Sequence, residues 1–243
     1  GVPPSEIRGV GFSAHGKGLY AVDINGEPVR NGIISSDNRA LPIVQEWKSR
    51  NVDKAAYPYA FQQVWAGHPV SILAWLKANE ADSYNRIHRV LMAHDWVRYK
   101  LTGEFGAEIT NISGSNLYNV DTGAYEPELF KLFGIDEMQE CVAPVIGSTE
   151  SRSGVSAKAA EETGLVAGTP VFGGFFDVVS AAVCAGLADE RFINVVMGTW
   201  TIETWIGDSI PAAEHPYTWG RYCIPGKYFV HEGSPTSASN LEW

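Results

Sequence analysis

Asp177 stands three residues after a glycine pair, Gly173-Gly174, and directly before a small apolar stretch, residues 178–188 (VVSAAVCAGLA). Residues 169–174 (TPVFGG) read as a buried strand running into a glycine turn, where the backbone bends tightly and a ligand can come close. A carboxylate at that point is either the N-cap of the following helix or a site group. As a site group it is a general base. Orienting and deprotonating a hydroxyl that attacks a phosphoryl group is mostly positioning, so an Asp needs no raised pKa for it. One helix later, residues 194–201 (NVVMGTWT) end a strand in Gly198-Thr199. That turn is either ordinary or a phosphate cradle, with backbone N–H groups and a hydroxyl facing an anion. Two adjacent strand ends in an α/β sheet can bring a base and a phosphate turn into one cleft. A third candidate is residues 13–18 (SAHGKG), where His15 and Lys17 flank Gly16. It reads as a solvated loop or as a set of donors for polyol hydroxyls. Asp37 and Arg39 would add a carboxylate and a guanidinium nearby, with Asp37 as the next helix's N-cap the competing reading.

The elements that position these residues follow from pattern. Residues 9–13, 17–23 and 33–36 read as strands, and Asn25-Gly26 between apolar runs is a hairpin signal. Ala40, Ile43, Val44 and Trp47 recur at helical spacing; Ile72, Leu73, Leu76 and Ala78 form a weaker stripe. Val90, Leu91, Trp96, Val97 and Leu101 fit one buried helical face that ends at Thr102-Gly103. A short helix over 126–133 stops at Gly134, and one over 155–165 ends at Gly164. Residues 117–121 are too mixed to assign. Strands are expected over 192–197, 200–206 and 228–231. The organisation reads as two α/β halves, residues 9–147 and 148–243, without a clear linker.

Composition narrows the class. The 243 residues carry 28 acids against 18 Lys and Arg, a net charge of −10, which disfavours nucleic acid or an anionic membrane as the main partner. No stretch approaches the apolar length of a membrane span. Cys141, Cys184 and Cys223 are odd in number and widely spaced, so neither a disulfide framework nor a metal site is visible, and a reducing cytoplasm fits. No Walker-type P-loop and no nucleophile elbow occurs. His94-Asp95 and residues 108–111 (EITN) rank lower as sites; His94 reads as a structural histidine. His215 and His231 lack neighbouring ligands for a metal.

Eight segments in order, SAHGKGLYAVD, SSDNRA, GHPVSILAWLK, HDWVRYKLTG, NISGSNLYNVDTGAY, GTPVFGGFFDVVSAAVCAG, VMGTW and GSPTSASNLEW, resemble the FGGY carbohydrate kinases over nearly the whole chain. GKG, GHPVS, FFDVVS and SPTS are most similar to the L-xylulose kinase group of that family, also described as 3-keto-L-gulonate kinases. The resemblance implies an α/β, actin-like ATPase (ribonuclease H-like) fold, a mixed sheet flanked by helices, with sugar deep in a cleft and MgATP entering from a second domain. It implies ATP-dependent phosphorylation of a ketopentose, L-xylulose first, the alternatives being a kinase for another sugar or sugar acid (3-keto-L-gulonate, D-xylulose, L-ribulose or glycerol) or a catalytically dead sugar-binding protein. Asp177 matches the family's catalytic base, Gly198 and Thr199 its phosphate turn, and Gly16 and Lys17 its sugar-contact turn, where xylulose kinases proper carry Met-His. Trp75 matches a sugar-contacting Trp of glycerol kinases, and Asn111 a site-lining segment. A homodimer is usual for the family.

Two departures matter. The family's opening Asp-x-Gly-x-[ST]-like hairpin, which binds phosphate and metal, has no counterpart before Gly9. The chain also stops about where the nucleotide-binding domain begins. The expectation is therefore that residues 1–243 form part of the N-terminal sugar-binding domain, inactive alone, with an apolar sheet edge exposed.

Overall fold

The structure is a computed structural model that describes residues 1–198, 201–211 and 217–234. After a single 3-10 turn, β1 (Ser13–Ala14) leads into the opening hairpin. Gly26 takes φ +76 at its tip, and Asp23 exchanges backbone bonds with Gly26 and Glu27. Only isolated bridges, Leu19 to Ile33 and Val22 to Pro28, follow in place of the expected regular strands. Pro28 has no N–H to continue the ladder.

A helical segment comes next: α1 (Leu41–Ser49), α2 (Val52–Ala60), α3 (Pro69–Asn79), α4 (Ala81–Asn85) and α5 (Ala93–Thr102). The stripe in α3 is weak because the helix is buried nearly all round, Val70, Ile72, Leu73 and Leu76 being inaccessible. These side chains pack with Val44, Trp47 and Phe130 in the main core. Val90 and Leu91 lie outside α5, contrary to the periodicity: Met92 is extended and donates its N–H to Asp95 Oδ2 at 3.2 Å, so the helix starts after it. Asp37 does not cap α1 either. Ala40 holds that position, and the Asp37 carboxylate folds back on the Arg39 N–H and guanidinium.

The middle of the chain carries β2 (Ala107–Glu108), α6 (Ile109–Ile112), β3 (Tyr118–Asn119), β4 (Ala124–Tyr125), α7 (Pro127–Leu132), β5 (Val145–Ile146), β6 (Ser153–Gly154) and α8 (Ala157–Thr163). Gly103 and Gly164 are left-handed C-caps and Gly134 follows α7 at φ +70, as their helix-stop readings require. Then come β7 (Pro170–Val171), β8 (Phe175–Phe176), α9 (Asp177–Cys184), β9 (Asn194–Met197), β10 (Thr201–Gly207), β11 (Thr218–Arg221) and β12 (Tyr228–Ser234).

Parallel and antiparallel pairings coexist. β1 pairs with β8 and β2 with β5, both parallel, while β3–β4 and β6–β7 are antiparallel. The last strands form an antiparallel sheet in the order β11-β12-β10-β9. A division at residue 147/148 does not hold. β1 near the N-terminus pairs with β8, Val10 bridges Val171, and Ser148 donates to Glu108. In the last sheet β9 is an edge strand, and Val195 and Met197 along it, with Ile193 just before it, are exposed.

Candidate active site

The parallel pairing of Ser13 with Phe175 and Ala14 with Phe176 sets the site. Both strands end at the same level. One continues into the turn of His15, Gly16 and Lys17; the other runs directly into α9, whose first residue is Asp177. A cavity of about 670 Å³ opens between these strand ends and the sheet of β9–β12, within the size range of small-molecule sites. Gly16, Lys17, Trp65, Phe176, Asp177 and His231 are among its walls.

Asp177 is not the N-cap; Phe176 is, and makes no side-chain cap. The Asp177 Oδ1 accepts the adjacent Val178 N–H at 2.8 Å, and among the described residues no other side chain hydrogen-bonds the carboxylate. The carboxylate is open to solvent yet crowded by the cleft walls. Desolvation raises its pKa above the ordinary carboxylate value, against the pull of the Val178 N–H and the charges of His15 and Lys17. A carboxylate so placed is the stronger proton acceptor for it.

Lys17 is held in an unusual state. Its backbone is left-handed, φ 63, and its N–H donates to Asn111 Oδ1 at 2.9 Å. Its side chain is 4% exposed, with Nζ 5.2 Å from the Trp65 ring centroid and 5.1 Å from that of Phe176. Burial pushes its pKa down to about 8, with Asp177 opposing. Among the described residues no carboxylate or carbonyl accepts a hydrogen bond from Nζ, so the ammonium rests on the two aromatic faces and the nearby Asp177 charge. Gly16 is required by close approach: a Cβ there would enter the Phe176 ring.

Two buried histidines accompany the cavity: His231 is on its wall, and His68, off the wall, backs Trp65. His68 stacks on Trp65, 4.9 Å between centroids, and its Nδ1 accepts from Asn116 Nδ2 at 2.7 Å. Its Nε2 and the Nδ1 of His231 are buried without partners among the described residues. Burial and then the Lys17 charge hold both imidazoles well below the usual histidine range, hence neutral. Among the described residues no group of three or more His, Cys, Asp or Glu could hold a metal ion. No described helix is long and apolar enough to cross a membrane.

Two expected contacts fall elsewhere. Trp75 is not on the cavity wall; it packs against the main core under the Arg39 guanidinium, 4.9 Å away. Its indole lies on α3, whereas Trp65, just before that helix, faces the cleft. Asn111 is buried beneath the turn and reaches the site only through the Lys17 N–H. Gly198 sits just past β9, off the cavity wall, and Thr199 lies outside the described residues, as do residues 235–243 of the last family-like segment. Trp65, Phe176 and His231 carry no spacing signal. The nearest hint is the aromatic and histidine in residues 65–68 (WAGH).

The model of the FGGY family of carbohydrate kinases, N-terminal domain, matches residues 1–184. The chain belongs to the FGGY family of carbohydrate kinases. The matched stretch ends with the last residue of α9, Cys184, so the β9–β12 wall lies beyond it. Over the whole chain it is 48% identical to a probable L-xylulose kinase of Pasteurella multocida, covering 50% of that protein. It is 49% identical to an L-xylulose/3-keto-L-gulonate kinase of Escherichia coli, covering 49% of it. The chain thus spans about half the length of the curated relatives it matches. Among solved structures, the ligand-bound xylulose kinase of Lactobacillus acidophilus superposes with a TM-score of 0.90 at 18% identity, over 97% of this chain and 48% of that one. The Plasmodium falciparum glycerol kinase with ADP gives 0.88 at 17% identity, over 97% and 48%. These likenesses show the actin-like sugar-kinase fold.

Proposed function

We propose that this chain provides the sugar site and the catalytic carboxylate of an ATP-dependent ketopentose kinase whose acceptor is L-xylulose. The observation that carries the reading is Asp177, solvent-open at the start of α9 and sharing one cavity wall with the Gly16-Lys17 turn. The sugar hydroxyl lies against Asp177 and attacks the γ-phosphorus. Its proton passes to the Asp177 carboxylate as the new O–P bond forms and the bond to the ADP oxygen breaks. Trp65 and Phe176 offer apolar faces for the carbon skeleton, and His231 and Glu232 offer polar atoms for its hydroxyls. Mg²⁺ would come with the nucleotide, held by its phosphates, waters and one or two carboxylates rather than by an all-protein cage, and would neutralise charge on the transferring phosphoryl group.

A second reading has its own support. Lys17 holds a buried cation without a hydrogen-bonding acceptor among the described residues, the complement of a carboxylated sugar such as 3-keto-L-gulonate. An ADP-release assay on the full-length gene product tests both. L-xylulose, D-xylulose, glycerol and 3-keto-L-gulonate are compared at equal concentration. Turnover highest on L-xylulose supports the first reading, and preference for the keto-gulonate supports the second. Silence on every sugar contradicts both.

A further inference from the structure

Glu108 lines no part of the cleft, yet the two strand-end segments of one cleft wall hang on it. Its side chain is fully buried at the start of α6. Oε1 accepts from the Thr110 N–H at 3.0 Å and from Ser148 Oγ at 2.5 Å. Oε2 accepts from Thr110 Oγ1 at 2.7 Å and from the Asn111 N–H at 3.2 Å, with His94 Nε2 at 3.5 Å. The backbone N–H of Glu108 is itself fixed by Asp95 Oδ1 at 2.9 Å. A buried carboxylate with this many donors is fully committed, and so are its donors.

Two arms leave this hub. Thr110 has one hydroxyl proton, which goes to Glu108. Its lone pairs are thereby turned outward, and Oγ1 accepts the Phe176 N–H at 3.0 Å. That peptide immediately precedes Asp177, and the Phe176 ring walls the cavity. In the other arm Asn111, whose N–H is held by the same carboxylate, presents Oδ1 to the Lys17 N–H. That bond pins the left-handed turn. The two arms reach strand ends 66 and 94 residues away in sequence.

We propose that Glu108 is a positioning residue of the kinase reaction, setting the Asp177 helix start through Thr110 and the Lys17 turn through Asn111. The proposal rests on the kinase reading above. It separates the arms by parameter. Displacing Asp177 weakens the attack on phosphorus, whereas displacing Lys17 weakens sugar binding.

The test is steady-state kinetics on the full-length gene product with the best sugar of the panel, alongside thermal melting. Thr110→Val keeps the side chain's shape and removes only the hydroxyl. It should lower kcat between about 10- and 100-fold with the sugar KM within about threefold. Thr110→Ser should recover kcat to within about twofold, because it restores the donor–acceptor hydroxyl. Asn111→Leu should act chiefly on KM, and Glu108→Gln on both parameters. Loss of kcat in Thr110→Val at an unchanged melting temperature excludes a merely structural role. If Thr110→Val stays within about twofold of wild type, or Thr110→Ser is as damaged as Thr110→Val, the proposal is overturned while the kinase reading stands. A wild-type protein silent on every sugar overturns the kinase reading and this proposal with it.

Discussion

Ala14 and Phe176 are paired in parallel register, so the turn that carries Lys17 and the helix that begins at Asp177 leave the same end of two adjacent strands. Ligands in open α/β sheets bind at such carboxyl ends. Here one end supplies a carboxylate with a raised pKa and the other a buried ammonium with a lowered one. The two groups stabilise each other's charge while staying free to meet a substrate.

Lys17 makes the pH dependence specific to the substrate. Its amine loses its proton near pH 8 in the folded chain. For an anionic sugar acid, kcat/KM should fall with rising pH above about 8, approaching about tenfold per unit. A neutral ketopentose should lose less. Measuring both profiles on one preparation checks this, and Lys17→Met should flatten the difference.

The same shift has a stability consequence. Between pH 8 and the ordinary lysine value of 10.5 the unfolded chain binds a proton that the folded chain has shed. Stability from this group therefore rises with pH across that window. Below it the ammonium is buried at a cost in both neutral and mildly acid buffer. Lys17→Met should melt higher than wild type at pH 7, with the gap closing toward pH 10.5.

The two tryptophans should behave differently. Trp65→Ala removes a cavity wall and the ring beside Lys17 Nζ, so the sugar KM should rise severalfold with little loss of melting temperature. Trp75→Ala removes a half-buried ring packed against the core, costing about 1–3 kcal/mol, with the KM unchanged. Equal KM effects in the two variants would contradict the placement of Trp75.

Gly16→Ala puts a methyl into the Phe176 ring, which itself fills space beside Phe229 and His231. Overpacking of this kind costs about 1–3 kcal/mol. The ring has to turn into the cavity, so sugar affinity should drop along with stability, as read by ligand-induced shifts in melting temperature.

What the sequence disclosed follows from the range of its signals. Asp177 after a glycine turn, Gly16-Lys17 among small residues, and the helix stops at Gly103 and Gly164 are local, because a glycine marks a backbone state at its own position. Periodicity misplaced Val90 and Leu91, since a run of apolar residues does not register the extended Met92 that precedes α5. Residues 117–121 were unassignable because β3 there is only a two-residue pairing with β4. The Glu108 hub was invisible for a different reason: residues 108–111 read as a polar segment, and their meaning lies in partners at Lys17, Ser148 and Phe176. Trp75, which the family resemblance set at the sugar, packs against the main core, whereas Trp65 lines the cleft through partners that no local spacing announces.

The proposed transfer of the sugar hydroxyl's proton to Asp177 is tested most directly by Asp177→Asn in the full-length gene product, followed by sugar-dependent ADP release on L-xylulose. Asparagine keeps the side chain's shape and removes the base, so kcat should fall by about 10²- to 10⁴-fold while the sugar KM and the melting temperature stay close to wild type. Turnover in Asp177→Asn within about tenfold of wild type would contradict the assignment and place the base elsewhere in the cleft.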